Sequence, residues 1–293
     1  MKNIKVGILI SYDYKYAFDC ISIIYEYVDE IILAVDINKK TWSGNTFEID
    51  ETFFESISKI DNLNKITIYK DNFYNPDNTS MENETMERNM ISKKMGNNCW
   101  QLQIDCDEYF LNFEKVFKFL NDNSFLLTNP SSNPILLKGK WITLFKKTEK
   151  GFLYIDNDEF FSFGTNLKES YSFARNVECK TFHSNFYALH QSWARDEDEI
   201  LQKIKNWGHK TDVDVDSFFR FWMTVNESNY TEIKNFHPVY PEEWKELKYI
   251  EAKSIDGFIN IYKKLHKEKL EQTNKFSSKY FIKHIKNKLK FWK

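Results

Sequence analysis

Asp105-Cys106-Asp107-Glu108 follows the apolar stretch Cys99-Trp100-Gln101-Leu102-Gln103-Ile104 and sets two carboxylates where a buried strand should surface. Side chains two apart on a strand point to the same side, so Asp105 and Asp107 can address one divalent cation. Mg2+ and Mn2+ prefer oxygen ligands, and a cation held by one or two carboxylates is suited to bridging the phosphates of a nucleotide. Asp-x-Asp recurs at Asp156-Asn157-Asp158, Asp196-Glu197-Asp198 and Asp212-Val213-Asp214-Val215-Asp216, so context must separate the copies. The last run fails as a calcium loop, with Ser217 where the sharp turn needs Gly and Met223 where a bidentate Glu is required. Asp105 and Asp107 alone end an apolar run, which is where open α/β sheets hold their ligands; a helix cap or solvated turn is the plainer alternative.

The elements that must position these acids follow from hydrophobic period. Ile4 to Ile10 is a β-branched run and a buried strand, followed by a polar turn over Ser11 to Lys15 and a helix through Tyr27. A second strand spans Glu30 to Val35 and is closed by Asp36, after which Ser43-Gly44-Asn45 marks a turn. A helix at Glu51 to Ile60, a strand at Ile66 to Tyr69 and a helix at Met81 to Met95 lead into the acid-bearing strand. This β-α-β-α-β-α-β order predicts a largely parallel sheet covered on both faces. Beyond Asp107 the spacing predicts a helix at Phe113 to Leu120 and short strands at Ile135 to Leu137, Trp141 to Phe145 and Phe152 to Ile155. Helices are then expected at Glu197 to Trp207, Phe218 to Val225, Glu242 to Lys248 and Ile255 to Leu270.

Asp36 at the end of the second strand, Arg88-Asn89 on the helix before the fourth, and Asp105-Cys106-Asp107 ending that fourth strand together resemble family-2 glycosyltransferases of the GT-A fold. The resemblance covers residues 4 to 120 or so; the segment after Asp36, Ile37-Asn38-Lys39-Lys40-Thr41-Trp42, is longer than the family's usual Asp-Gly-Ser loop. His190-Gln191-Ser192-Trp193-Ala194-Arg195 is similar to a signature of a bacterial subset of these enzymes. The resemblance implies a GT-A-like α/β fold with a mostly parallel, Rossmann-like sheet flanked by helices. It divides the chain into a glycosyltransferase domain, 1–225, with a nucleotide-sugar half to residue 110 and an acceptor half from 111, and a helical C-terminal extension, 226–293.

Such an enzyme moves a sugar from a nucleotide diphosphate sugar, UDP-linked by expectation, to a glycan or lipid-linked acceptor of a bacterial surface polysaccharide. Mn2+ or Mg2+ would act as a Lewis acid on the leaving diphosphate, a contribution of several kcal/mol to transition-state stabilisation. Asp107 is the expected metal ligand and Asp105 the support of the ribose or a metal-bound water, while Asp36 is expected to accept from the base or ribose. Arg88 would meet the base edge or a phosphate, with a helix-surface salt bridge as its alternative. His190 is the candidate further metal ligand, ahead of His183 and His209, with a hydrogen-bonded core histidine as its alternative. Arg195 would neutralise phosphate or pair structurally with Asp196 and Asp198. An inverting transfer needs a base, for which Asp156, Asp158 and Glu159 are the candidates in an aromatic stretch. Trp141, Phe160, Phe161 and Phe163 are either sugar-stacking or core residues.

Lys plus Arg total 41 against 43 Asp plus Glu, so no global charge draws the chain to nucleic acid. Aromatic content of 17% with only 8 Gly and 5 Pro marks a folded chain. Cys20, Cys99, Cys106 and Cys179 form no C-x-x-C pair and are expected to be reduced, as in a cytoplasmic protein. No segment approaches the roughly 20 apolar residues of a membrane span. Lys275 to Lys293, however, alternates seven lysines with Phe281, Ile285, Leu289 and Trp292 at helical spacing. That pattern suits peripheral contact with an anionic membrane, or docking on the chain itself or on a second subunit. Two rival functions remain: a sugar nucleotidyltransferase, which should carry a Gly-rich loop where Ser11-Tyr12-Asp13-Tyr14-Lys15 stands, and a non-catalytic carbohydrate-binding protein.

Overall fold

The β-branched run at the N-terminus forms β1 (Ile4–Ile10), and its apolar side chains are buried on both faces because helices cover the sheet above and below. In the computed structural model, which describes residues 3–206 and 214–276, the first half continues as α1 (Ala17–Ile24), β2 (Glu30–Asp36), α2 (Glu51–Ile60), β3 (Ile66–Asp71), α3 (Ser80–Met95) and β4 (Trp100–Asp105). Thr79 and Glu82 form a reciprocal capping box at the start of α3. Gly7 lets this helix lie close on β1, since a Cβ there would run into the side chains of Ile91 and Met95.

After β4 come β5 (Glu108–Phe110), α4 (Phe113–Asp122), β6 (Ile135–Lys147), β7 (Gly151–Ile155), β8 (Phe160–Thr165), β9 (Tyr171–Phe173), β10 (Asn176–Val177) and β11 (Lys180–His190). Then follow α5 (Glu197–Asn206), α6 (Val215–Thr224), β12 (Lys248–Glu251), α7 (Ile255–Leu265) and α8 (Lys267–Leu270). The main sheet runs β12-β7-β6-β8-β4-β1-β2-β3, with β11 against β6 and β5 against β11. Only part of it is parallel: β3, β2, β1 and β4 run together, whereas β8, β6, β7 and β12 pair antiparallel in turn. The fold is α/β with a large mixed sheet, which corrects the expectation of a mostly parallel one. The cause lies in the connections: a short turn folds β7 back on the second half of β6, and residues 156–159 then carry the chain to the other side of β6, where β8 pairs antiparallel with its first half.

A further correction concerns Glu242 to Lys248, expected as a helix. Pro241–Glu243 makes one 3-10 turn, and Lys248–Glu251 extends to pair with β7 as an edge strand. Trp244 and Leu247 are buried against Phe145, Leu153 and Ile155 of the sheet, and this tertiary burial overrides local helical preference. Residues 226–276 therefore contribute a strand as well as helices.

The pairing of β4 with β8 covers only Gln101 with Thr165 and Leu102 with Gly164. Past Leu102 this ladder ends, and Arg175 from the β9–β10 turn donates to the Gln103 carbonyl at 3.3 Å. A cleft opens between the diverging strands.

Candidate functional site

This cleft, about 380 Å³, lies at the carboxyl ends of β1, β2 and β4. Asp36 closes β2 and Asp105 closes β4, with β1 between them. Both acids line the cleft together with Asp107 and His190.

Asp107 is buried, and three basic side chains surround it. Arg195 Nη2 lies 2.5 Å from its Oδ2, His190 Nε2 3.7 Å and Lys203 Nζ 4.0 Å. Burial opposes ionisation of Asp107, but His190, Arg195 and Lys203 outweigh it and hold the carboxyl well below the usual range. Burial lowers the His190 pKa to about 4 against the pull of Asp107, so the ring is neutral near pH 7 and its lone pair is available. The register explains why His190 arrives here: at the end of β11 it pairs with Glu108 of β5 and with Thr143 of β6. Gln191 N–H then donates to the Asp107 carbonyl at 2.9 Å. Arg195, just before α5, also donates to Asp13 at 3.2 Å, and its guanidinium sits 4.7 Å from the centre of the Tyr16 ring. Its Nε and Nη1 are buried with no hydrogen-bond partner among the described residues.

Asp105 belongs to a separate network. Arg88 Nη2 meets its Oδ1 at 3.0 Å and Arg175 Nη2 its Oδ2 at 3.5 Å. Arg175 also grips Glu108 through two nitrogens, at 2.7 and 2.8 Å, the bidentate geometry that a planar fork permits. Trp141 Nε1 donates to Glu108 at 3.0 Å while its ring stacks on Phe161, 5.0 Å between centres, and tilts against His190 at 4.6 Å. Arg88 is only 1% exposed, and Glu84 holds its other edge. It is therefore neither a helix-surface salt bridge nor a residue that lines the cleft.

Asp36 is committed to the backbone. Its Oδ1 accepts from Asn38 and Lys40 N–H, both at 2.9 Å, and its Oδ2 from Phe73 N–H at 2.8 Å. These bonds shape the long loop after β2 and bring Trp42 over α3, where its indole N–H donates to Glu87 at 2.6 Å.

Of the expected site residues, the structure brings Asp36, Asp105, Asp107 and His190 to one cleft and sets Arg88 and Arg195 behind its floor. The candidate bases do not join them. Asp156 is buried between Tyr262, at 2.9 Å, and Lys269, at 2.5 Å. Asp158 binds Lys140, Lys269 and Tyr187, and Glu159 accepts from Trp244; none of the three lines the cleft. They lie between β7 and β8, where lysines and tyrosines compensate Asp156 and Asp158. Trp141, Phe160 and Phe161 do line the cleft, whereas Phe163 is core. His183 packs edge-on against Phe160, and His209 falls outside the described residues. Cleft residues not anticipated from the sequence are Asp13, Lys138, Arg175, Lys203 and Glu87.

No protein-family model matches the chain, and no curated protein matches it either.

Proposed function

We propose that the chain is a metal-dependent glycosyltransferase using a nucleotide diphosphate sugar, with a glycan or lipid-linked acceptor. The observation that carries this reading is the Asp107 carboxyl with the His190 imidazole 3.7 Å away, both lining a cleft at the carboxyl ends of parallel strands. The cleft volume falls within the roughly 300–1,000 Å³ of small-molecule sites.

Among the described residues no group of three or more His, Cys, Asp or Glu is placed to hold a metal. Two donors still fit a hard cation that shares its remaining positions with substrate phosphates and water, which is how Mg2+ is often bound. Asp107 and His190 would hold Mn2+ or Mg2+, and the ion would supply Lewis-acid stabilisation of the departing diphosphate. The chain's own groups do the rest. Arg195 puts positive charge beside Asp107 from behind the cleft floor, and Lys203 lines the cleft 4.0 Å from the same carboxylate. Arg88 and Arg175 grip Asp105, and Arg175 grips Glu108 as well, which anchors the strand end that carries Asp107. Phe160, exposed at the cleft wall, offers a flat apolar face to a sugar ring.

The test is a thermal-shift screen against UDP, GDP, CDP and dTDP with and without Mn2+, followed by assay of nucleotide-sugar hydrolysis. Binding at about 100 times Kd should stabilise the fold by roughly 2.7 kcal/mol. A metal-dependent shift with metal-dependent turnover is expected. Binding without turnover would favour a non-catalytic carbohydrate-binding protein, and no shift with any nucleotide would end the reading.

A further inference from the structure

Glu87 is 6% exposed on α3, yet it lines the cleft. Trp42 Nε1, which can only donate, takes its Oε2 at 2.6 Å, and Oε1 has no hydrogen bond among the described residues. Glu87 lies on the β2 side of the cleft, facing Asp36, whereas Asp107 and His190 lie beyond β1 at the ends of β4 and β11. A nucleotide whose diphosphate is held at Asp107 would extend its base toward this wall.

We propose that Glu87 binds as a neutral carboxylic acid, donating its O–H to a ring carbonyl of the bound nucleotide's base at the position where cytosine carries its amino group. The inference rests on the nucleotide reading above. Because the Trp42 N–H occupies Oε2, the proton of the neutral acid belongs on Oε1, the oxygen left without a hydrogen bond among the described residues. The charges around Glu87 agree. Burial is the largest influence, Asp36 and Glu84 are like charges, and Arg88, the one favourable charge, spends its guanidinium on Glu84 and Asp105. Together with the opposing Trp42 bond these place the carboxyl at about 8. A donor at this point accepts a carbonyl edge, as in uracil or guanine, and leaves an amino edge, as in cytosine, facing another donor.

The test titrates UDP and CDP with Mn2+ by calorimetry between about pH 6.5 and 9 on wild type, Glu87→Gln and Glu87→Ala, wide enough to span the carboxyl's titration. Glutamine keeps both functions at every pH, since its amide oxygen can accept from Trp42 and its NH2 can donate into the cleft. Wild-type affinity for UDP should exceed that for CDP and fall above pH 8, while Glu87→Gln should not show that fall. Glu87→Ala should bind UDP about tenfold more weakly at pH 7. If UDP binds all three proteins equally and with one pH profile, the role of Glu87 is wrong although the nucleotide reading stands. If neither nucleotide binds any of them, both are wrong.

Discussion

Four of the 41 basic residues are arginine, and three of the four, Arg88, Arg175 and Arg195, are buried around Asp105, Asp107 and Glu108. In a lysine-rich chain that rarity is a signal of its own. A buried lysine can shed its proton, as the lowered pKa of Lys203 shows, whereas arginine stays charged and binds through a fork. Arg175→Lys should therefore cost roughly 3 kcal/mol by breaking a buried bidentate pair, read as a lower Tm at unchanged pH. Asp107→Asn should abolish metal-dependent turnover and also lower Tm, because Arg195 would keep only Asp13; a well-folded, fully active Asp107→Asn protein would remove Asp107 from the site. Two buried groups set opposite pH trends. Glu87 has a folded pKa raised from 4.5 to about 8, so the folded chain holds a proton the unfolded chain loses, and stability falls as pH rises through that window. For His190 the folded pKa drops from 6.5 to about 4, so its contribution is complete above 6.5 and is lost as pH falls toward 4. Glu87→Gln should consequently gain in Tm over wild type between pH 5 and 8, by roughly 5 °C, in a pH-resolved melting series.

The first seven elements were legible because each is a single local pattern: α2 begins and ends where the sequence predicts, and β2 stops at Asp36. Asp105 and Asp107 could be found for the same reason. The second half was not, since β8 and β11 owe their existence to long-range pairing, and β11 is what delivers His190 to Glu108 and Asp107. His190 was visible as a residue but its neighbours were not. Arg175 stands in a turn between two very short strands and carries no periodic signal. That Asp156, Asp158 and Glu159 stand away from the cleft was not legible for a different reason: acids in an aromatic stretch look alike whether they face a ligand or the side chains of another element. At this scale the packing of α3 is testable. Gly7→Ala would press a methyl into Ile91, whose β-branched side chain is stiff, and shift the helix that carries Glu87 and Arg88. A loss of about 1–3 kcal/mol in urea unfolding is expected, along with weaker nucleotide binding.

Across the whole molecule, the mixed sheet joins two functions of architecture: its parallel half ends in the acids, and its antiparallel half supplies the aromatic wall through β6 and β8. Among the described residues no helix is long and apolar enough to cross a membrane. The basic amphipathic stretch from 277 onward lies outside those residues, but its point of departure is fixed. Asn274 accepts from Asn185 N–H at 2.7 Å, and Phe276 is buried against Phe119 and Phe182. Truncation after Phe276 should thus preserve the fold while removing salt-sensitive flotation on anionic vesicles; full-length protein that ignores such vesicles at low salt would rule out membrane contact through this segment. One feature also provides a built-in clock. Cys106 stands between the two acids, buried, with its thiol donating to the Asp13 carbonyl and held protonated well above the ordinary range by burial. Alkylation at that sulfur has to wait for the floor of the cleft to open, so its rate, followed by peptide mass spectrometry, reports the frequency of that opening in the unmodified chain. A nucleotide and metal seated above it would slow the reaction, turning a residue with no assigned chemistry into a timer for occupancy.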